Sequence, residues 1–209
     1  MRTGEDRIVT IPNAITVIRL LLLPVFLWLL FVRDHRAAAA GLLAFLGITD
    51  FLDGWIARRY DQGSNLGKML DPIADRLLFF VGAGAILVDG SVPAWFAVIV
   101  LVREAVVSIA TLVLAAAGAR RIDVTWYGKA GTFCLMIAFP LFLASESTVG
   151  WADTAEVLAW MAGIPGLALS LYAAVLYVPI ARRALAEGRA PHTAPADASA
   201  AGSTFDAAG

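Results

Sequence analysis

The 209-residue sequence is poor in charge and in the side chains that redox and zinc sites use most. It has one cysteine and two histidines, so it cannot form an intrachain disulfide and offers little for a zinc site. Only 16% of its residues are charged and the net charge is -1, which argues against a nucleic-acid partner. With 60% hydrophobic residues and a mean hydropathy of +0.78, the composition is typical of an integral membrane protein.

Six apolar runs are separated by short polar segments. Crossing the ~30 Å hydrocarbon layer takes about 20 helical residues, and most of the runs have about that length. They cover residues 14–32, 37–57, 72–88, 93–117, 127–144 and 155–180. We therefore expect an all-α integral membrane protein with six transmembrane helices, the last of them tilted or broken at Pro165.

Lysine and arginine concentrate on one side of these runs. With the N-terminus inside, eleven of them lie on the cytoplasmic side, against Arg33 and Arg36 outside. Both termini are thus expected in the cytoplasm, with the protein in the inner or plasma membrane. From Ala184 onward the chain is mostly small and polar, which predicts a membrane domain at residues 1–183 and a disordered tail at 184–209.

Four aspartates are predicted to converge at the cytoplasmic ends of the second and third helices. Asp50 and Asp53 are three residues apart, and Asp71 and Asp75 are four apart at the expected start of the third helix, with Pro72 in its first turn. The short connection makes the two helices antiparallel neighbours. An oxygen-only ligand set predicts Mg²⁺ or Mn²⁺. Two such ions could hold a diphosphate, stabilise the leaving phosphate and orient an in-line attack.

Small residues stand beside these carboxylates. Gly54 and Ala57 leave room for a nucleotide or diphosphate near the helix backbone, and Arg58 can meet phosphate oxygens. Two alternatives remain at this point. The aspartates could form a structural ion-pair network with nearby arginines, or the chain could be a divalent-cation transporter.

The first helix opens with a polar stripe of Asn13, Thr16 and Arg19, spaced three residues apart. Arg19 lies about two turns into the apolar run, which is too deep for its charge to reach the membrane surface comfortably. We therefore expect the stripe, and Arg19 above all, to face the diphosphate.

The pattern Asp50-x2-Asp53-Gly54-x2-Ala57-Arg58-x8-Gly67-x3-Asp71-x3-Asp75 resembles the signature of the CDP-alcohol phosphotransferase family at all eight positions. The resemblance implies a six-helix fold, usually a homodimer, with two metal ions on the four aspartates. It also implies that CDP is cradled on the second and third helices, with Gly67 in that set. It further implies that Asp75 is the base that deprotonates the acceptor hydroxyl.

The acceptor is expected to carry a phosphate, because Arg103, Arg120 and Lys129 supply cations on the cytoplasmic side. Arg103-Glu104 and Gly128-Lys129-x2-Thr132 resemble the phosphatidylglycerophosphate synthase branch, although Gly131 stands where a second lysine is usual. The expected reaction transfers a phosphatidyl group from CDP-diacylglycerol to glycerol 3-phosphate with release of CMP. Cardiolipin synthesis from phosphatidylglycerol is the alternative.

Overall fold

The fold is entirely helical in the part of the chain that the structure describes. The structure is a computed structural model, and it describes the backbone of residues 11–60, 65–116 and 126–188 and the side chains of residues 15–49, 74–114 and 126–177. The helices are α1 (Ile11–Phe31), α2 (Arg36–Tyr60), α3 (Asn65–Asp89), α4 (Ala94–Ala116), α5 (Trp126–Ser145) and α6 (Ala152–Gly188). The all-α prediction is confirmed.

Three of the described helices have the length and apolar composition needed to cross a membrane. These segments are Ala94–Leu114, Trp126–Ser145 and Ala152–Tyr177, and shorter apolar helices cover Ile15–Phe31 and Arg36–Thr49. Large apolar side chains also point outward, and on α4 they form a stripe of Val102, Val106, Ile109 and Val113, each more than half exposed. A continuous apolar stripe of this kind suits contact with lipid rather than with water.

The predicted start of the third helix is wrong. α3 begins at Asn65, so Asp71 does not open it, and Pro72 is its eighth residue instead of lying in the first turn. The apolar run gave too short a helix because Lys68 and Asp71 lie before it in the sequence. A helix can continue through polar residues beyond the apolar layer. Arg58 likewise lies within α2, which ends at Tyr60, so the connection is shorter than expected.

The predicted break in the last helix does not occur. α6 runs from Ala152 to Gly188 and passes through Pro165 without interruption. Close packing against α5 supports this stretch, because a Cβ on Gly166 would lie 2.9 Å from the Cβ of Cys134. The helix also continues past Ala184, so the backbone of residues 184–188 is helical. Residues 189–209 lie outside the described part.

The six described helices pack in a closed order. α1 contacts α2 and α3, α2 packs on α5, α5 packs on α6, and α4 joins α6 to α3. Phe96, Phe142 and Trp160 form an aromatic cluster with ring centroids 5.0 to 5.8 Å apart. Phe96 follows the C-terminal end of α3, so this cluster consolidates the end of the bundle opposite Asp75.

Candidate active site

A charge pair joins the first and third helices. Arg19 on α1 is 4% exposed, and its Nη1 donates to Oδ1 of Asp75 on α3 at 3.0 Å. Thr16, one turn earlier on α1, is also buried. The Asp75 side chain remains 45% exposed. The structure therefore brings together two residues that the sequence assigned to the site from separate patterns, and leaves part of the Asp75 carboxylate accessible.

Two contacts show how α2 and α3 run beside each other. Arg36, the first residue of α2, donates from Nε and Nη2 to both carboxylate oxygens of Asp89, the last residue of α3, at 3.0 and 3.2 Å. Seven residues further along each helix, a Cβ on Gly82 would lie 3.3 Å from Cδ1 of Leu43. The start of one helix lies beside the end of the other, as antiparallel neighbours require.

Most of the predicted metal and nucleotide ligands lie outside the described side chains. These are Asn13, Asp50, Asp53, Gly54, Ala57, Arg58, Gly67 and Asp71, and Arg120 lies outside the described backbone as well. Of the four aspartates, Asp75 is the one whose side chain is described. Within the described residues, no three or more histidine, cysteine or acidic side chains form a group that could hold a metal ion.

Arg103 and Lys129, two of the predicted acceptor residues, lie in different surroundings. Arg103 is 9% exposed, donates from Nε to the backbone carbonyl of Ser170 on α6 at 3.1 Å, and pairs with Glu104 at 2.7 Å. Its charge is therefore balanced inside the bundle. Lys129 on α5 is exposed.

The crossing of α5 and α6 gives a physical reason for Gly131. A Cβ at this position would lie 2.8 Å from the backbone nitrogen of Ser170 and 3.0 Å from the carbonyl oxygen of Gly166. Real Cβ atoms do not approach backbone this closely, so the two helices touch only because the side chain is absent. A lysine side chain therefore has no space at this position.

Sequence reasoning missed one polar contact beside Asp75. Arg76 donates from Nη2 to the Thr111 hydroxyl on α4 at 3.2 Å, and that hydroxyl donates to the Ser108 carbonyl at 2.8 Å. Arg76 was recognisable as a charge within an apolar run. Thr111 was not, because a single threonine in an apolar helix gives no signal of a partner 35 residues away.

An apolar groove of about 620 Å³ opens between α2 and α5. Among the described side chains, its α2 wall runs from Ala37 through Gly41 and Ala44 to Gly47 and Ile48. The α5 wall and the following loop contribute Phe133, Met136, Ile137, Pro140, Leu141, Ala144, Val149 and Trp151. The groove thus follows α2, the helix that carries Asp50.

Comparisons with known proteins agree with the motif. The sequence model of the CDP-alcohol phosphatidyltransferase family matches residues 9–181. A protein of Streptomyces coelicolor named cardiolipin synthase (CMP-forming) is 38% identical over 188 residues, covering 87% of each chain. A putative cardiolipin synthase of Mycobacterium tuberculosis is 35% identical over 173 residues, covering 83% of each. A probable phosphatidylglycerophosphate synthase of the same species is 34% identical over 145 residues, covering 67% of this chain and 68% of its own.

The family match spans most of the chain. The alignments with the relatives also cover most of each relative's length. The aspartate motif, the Arg19–Asp75 pair and these similarities point to the same phosphotransferase chemistry. The chain is a member of the CDP-alcohol phosphatidyltransferase family.

Proposed function

We propose that this enzyme transfers the phosphatidyl group of CDP-diacylglycerol to a glycerol hydroxyl of an anionic acceptor and releases CMP. The observation that carries the proposal is the Arg19–Asp75 pair, which joins the polar stripe of α1 to the last aspartate of the motif at 3.0 Å. Arg19 is buried, and the Asp75 side chain that it contacts is nearly half exposed. This pair is well placed to contact the phosphates of a bound nucleotide.

Two side-chain contacts between α2 and α3 support convergence of the four aspartates. Arg36 meets Asp89, and Leu43 lies against Gly82 seven residues further along both helices. Continuing this pairing by another seven residues, about two turns, would bring position 50 level with Asp75. Asp53 and Asp71 lie within a turn of that level on their own helices.

We propose that Asp50, Asp53, Asp71 and Asp75 hold two divalent ions, Mg²⁺ or Mn²⁺. Members of this family generally use divalent metal ions. The set offers carboxylate oxygens alone, which fits these hard cations. Nearly half of the Asp75 side chain is accessible beside its bond to Arg19. When bound, the ions would neutralise charge that develops on the diphosphate.

The transfer itself needs one bond formed and one broken. The acceptor oxygen bonds to the phosphorus that carries diacylglycerol, the bond from that phosphorus to the CMP oxygen breaks, and the hydroxyl proton passes to Asp75. Arg19 would orient Asp75 and contact the diphosphate together with Asn13, Thr16 and Arg58. Gly54, Ala57 and Gly67 would leave space for the nucleotide.

The groove between α2 and α5 supports a lipid-linked donor. We propose that an acyl chain of CDP-diacylglycerol lies along Gly41, Ala44 and Gly47, because the groove is lined almost entirely by apolar atoms and follows α2, the helix that carries Asp50. A chain in this position would anchor the donor while its diphosphate meets the aspartates.

Two acceptors are candidates, and two observations favour phosphatidylglycerol. Arg103 is balanced by Glu104 and Gly131 leaves no room for a lysine, so the acceptor side carries less positive charge than its sequence pattern indicated. A phosphodiester such as phosphatidylglycerol carries one negative charge, whereas a phosphomonoester carries about 1.5 to 2 at neutral pH. The relatives with greater identity and coverage are also the ones named cardiolipin synthase.

Glycerol 3-phosphate remains the second candidate. The sequence pattern around Lys129 resembles the phosphatidylglycerophosphate synthase branch, and a relative with that name covers two thirds of the chain. With this acceptor, Lys129 and Arg120 would supply the additional charge that a phosphomonoester needs.

We further propose six membrane spans with both termini and the active site on the cytoplasmic side of the cell membrane. Each of the six helices has at least 20 residues, about 30 Å of helix, and the lysines and arginines favour this orientation. We propose a homodimer with residues 1–183 as the membrane domain, extended by α6 to Gly188.

Lipid extracts of cells that lack the protein test the acceptor. Loss of cardiolipin with phosphatidylglycerol retained is expected if phosphatidylglycerol is the acceptor. Joint loss of both lipids would instead assign glycerol 3-phosphate. Restoration by the intact gene, and not by an Asp75→Asn variant, is the control that links the lipid change to turnover.

A further inference from the structure

The neighbouring residues Asp75 and Arg76 point to opposite flanks of α3. Asp75 accepts from Arg19 on α1, whereas Arg76 donates to Thr111 on α4 at 3.2 Å. Successive residues of an α-helix are turned by about 100°, which separates the two side chains. The donor nucleotide is assigned to α1, α2 and α3 on the Arg19 flank. Arg76 therefore offers its charge on the flank away from the nucleotide.

Thr111 is oriented to hold this arginine. Its hydroxyl donates its proton to the Ser108 carbonyl at 2.8 Å, so its lone pairs are left to accept from Arg76. A guanidinium is always charged and has five N–H donors, of which Thr111 engages one. Among the side chains that the structure describes, no carboxylate pairs with Arg76. A half-buried cation held by a neutral hydroxyl within an apolar helix is a candidate site for an anion.

A second polar group lies on the same face of α4. The Ser108 hydroxyl is buried and makes no hydrogen bond within the described residues. Ser108 and Thr111 are three residues apart, so both lie toward α3. A buried hydroxyl is costly unless a ligand or water satisfies it. Among the described residues, the contact between α3 and α4 thus presents one cation and one hydroxyl without a hydrogen bond, and Glu104, one turn before Ser108, is paired with Arg103.

Building on the phosphatidyl transfer proposed above, we propose that Arg76, positioned by Thr111, binds the phosphate group of the acceptor. An in-line displacement brings the nucleophile to the phosphorus from the side opposite the leaving CMP. The α4 flank of α3 is turned about 100° from the Arg19 flank, so an acceptor held there would approach the phosphorus from a different side than the nucleotide. Arg76 contacts the glycerol phosphate group that phosphatidylglycerol and glycerol 3-phosphate share, and Thr111 acts through Arg76.

Thr111→Val tests the assignment, because it removes the hydroxyl and keeps nearly the same volume. With full-length protein purified in detergent, we expect the KM for the acceptor to rise about tenfold, while kcat and the KM for CDP-diacylglycerol stay within about twofold. Thr111→Ser should restore the acceptor KM. Ser145→Ala is the matched control, because the Ser145 hydroxyl makes the same kind of bond to the Phe142 carbonyl at 2.7 Å and holds no arginine.

The outcomes separate this assignment from the function on which it rests. An unchanged acceptor KM in Thr111→Val, or an equal rise in the KM of both substrates, would overturn the role of Arg76. If Thr111→Val does not fold, Arg76→Lys takes its place with the same expectation, because it keeps the charge but loses the planar donor geometry. Parallel assays with phosphatidylglycerol and glycerol 3-phosphate identify the source of the phosphate. An unmodified protein that uses neither would overturn the proposed function itself.

Discussion

Replacing Gly131 by alanine tests the close crossing of α5 and α6. The new Cβ would lie 2.8 Å from the Ser170 nitrogen and 3.0 Å from the Gly166 carbonyl oxygen. Both are backbone atoms, so relief requires the helices to move apart. Overpacking of this kind costs about 1–3 kcal/mol, and the better helix propensity of alanine offsets about 1 kcal/mol. We expect a net loss of up to about 2 kcal/mol, which corresponds to a Tm lower by about 4–8 °C at that limit.

Gly84→Ala is the matched control for this substitution. Gly84 also lies within a helix, but a Cβ there has no heavy atom of another element within 4 Å, so the change should stabilise the protein by up to about 1 kcal/mol. Thermal unfolding in one detergent, followed by far-ultraviolet circular dichroism, compares the two variants. If Gly131→Ala were as stable as Gly84→Ala, the crossing would not be as close as described, and the steric reason for a missing lysine would fail.

Three further substitutions separate binding, turnover and stability. Asp75→Asn should abolish CMP release while CDP-diacylglycerol binding, measured by equilibrium binding in detergent, is largely kept; near-normal turnover would remove Asp75 from the mechanism. Gly41→Leu should fill the groove and raise the KM for CDP-diacylglycerol several-fold without lowering the Tm. An unchanged KM would exclude the groove as the acyl site. Arg36→Met should lower stability by about 1–3 kcal/mol with little change in KM, because the buried Asp89 carboxylate loses its cation and keeps only the Ser91 hydroxyl. Unaltered thermal unfolding would contradict this.

The surroundings of Arg19 could be predicted in part, because a charge deep in an apolar helix is costly unless a partner or ligand compensates it. The cost of an uncompensated arginine at that depth predicted compensation by a partner or ligand, and the structure pairs it with Asp75. That Arg19 faces the diphosphate stays a prediction. The antiparallel contact of α2 and α3 followed in the same way from their short connection. Both predictions rest on strong physical constraints that act on few residues.

Other features depended on tertiary contacts that no local pattern encodes. Hydropathy placed the start of the third helix near Pro72, but α3 begins at Asn65, where polar residues continue the helix. Pro165 suggested a break, yet packing of α6 against α5 keeps the helix continuous. The bond from Arg76 to Thr111 joins two helices through a neutral hydroxyl, and such hydroxyls are too common in sequences to mark a partner.

CMP release by the purified protein tests the central claim most directly. The assay combines CDP-diacylglycerol and Mg²⁺ with phosphatidylglycerol, with glycerol 3-phosphate or without acceptor, each in the presence and absence of a chelator. We predict release that depends on phosphatidylglycerol, yields cardiolipin in equal amount and disappears with the chelator. Stimulation by glycerol 3-phosphate alone would keep the transferase and change its acceptor. Folded protein that releases no CMP with any acceptor would contradict the account and favour a role in divalent-cation transport.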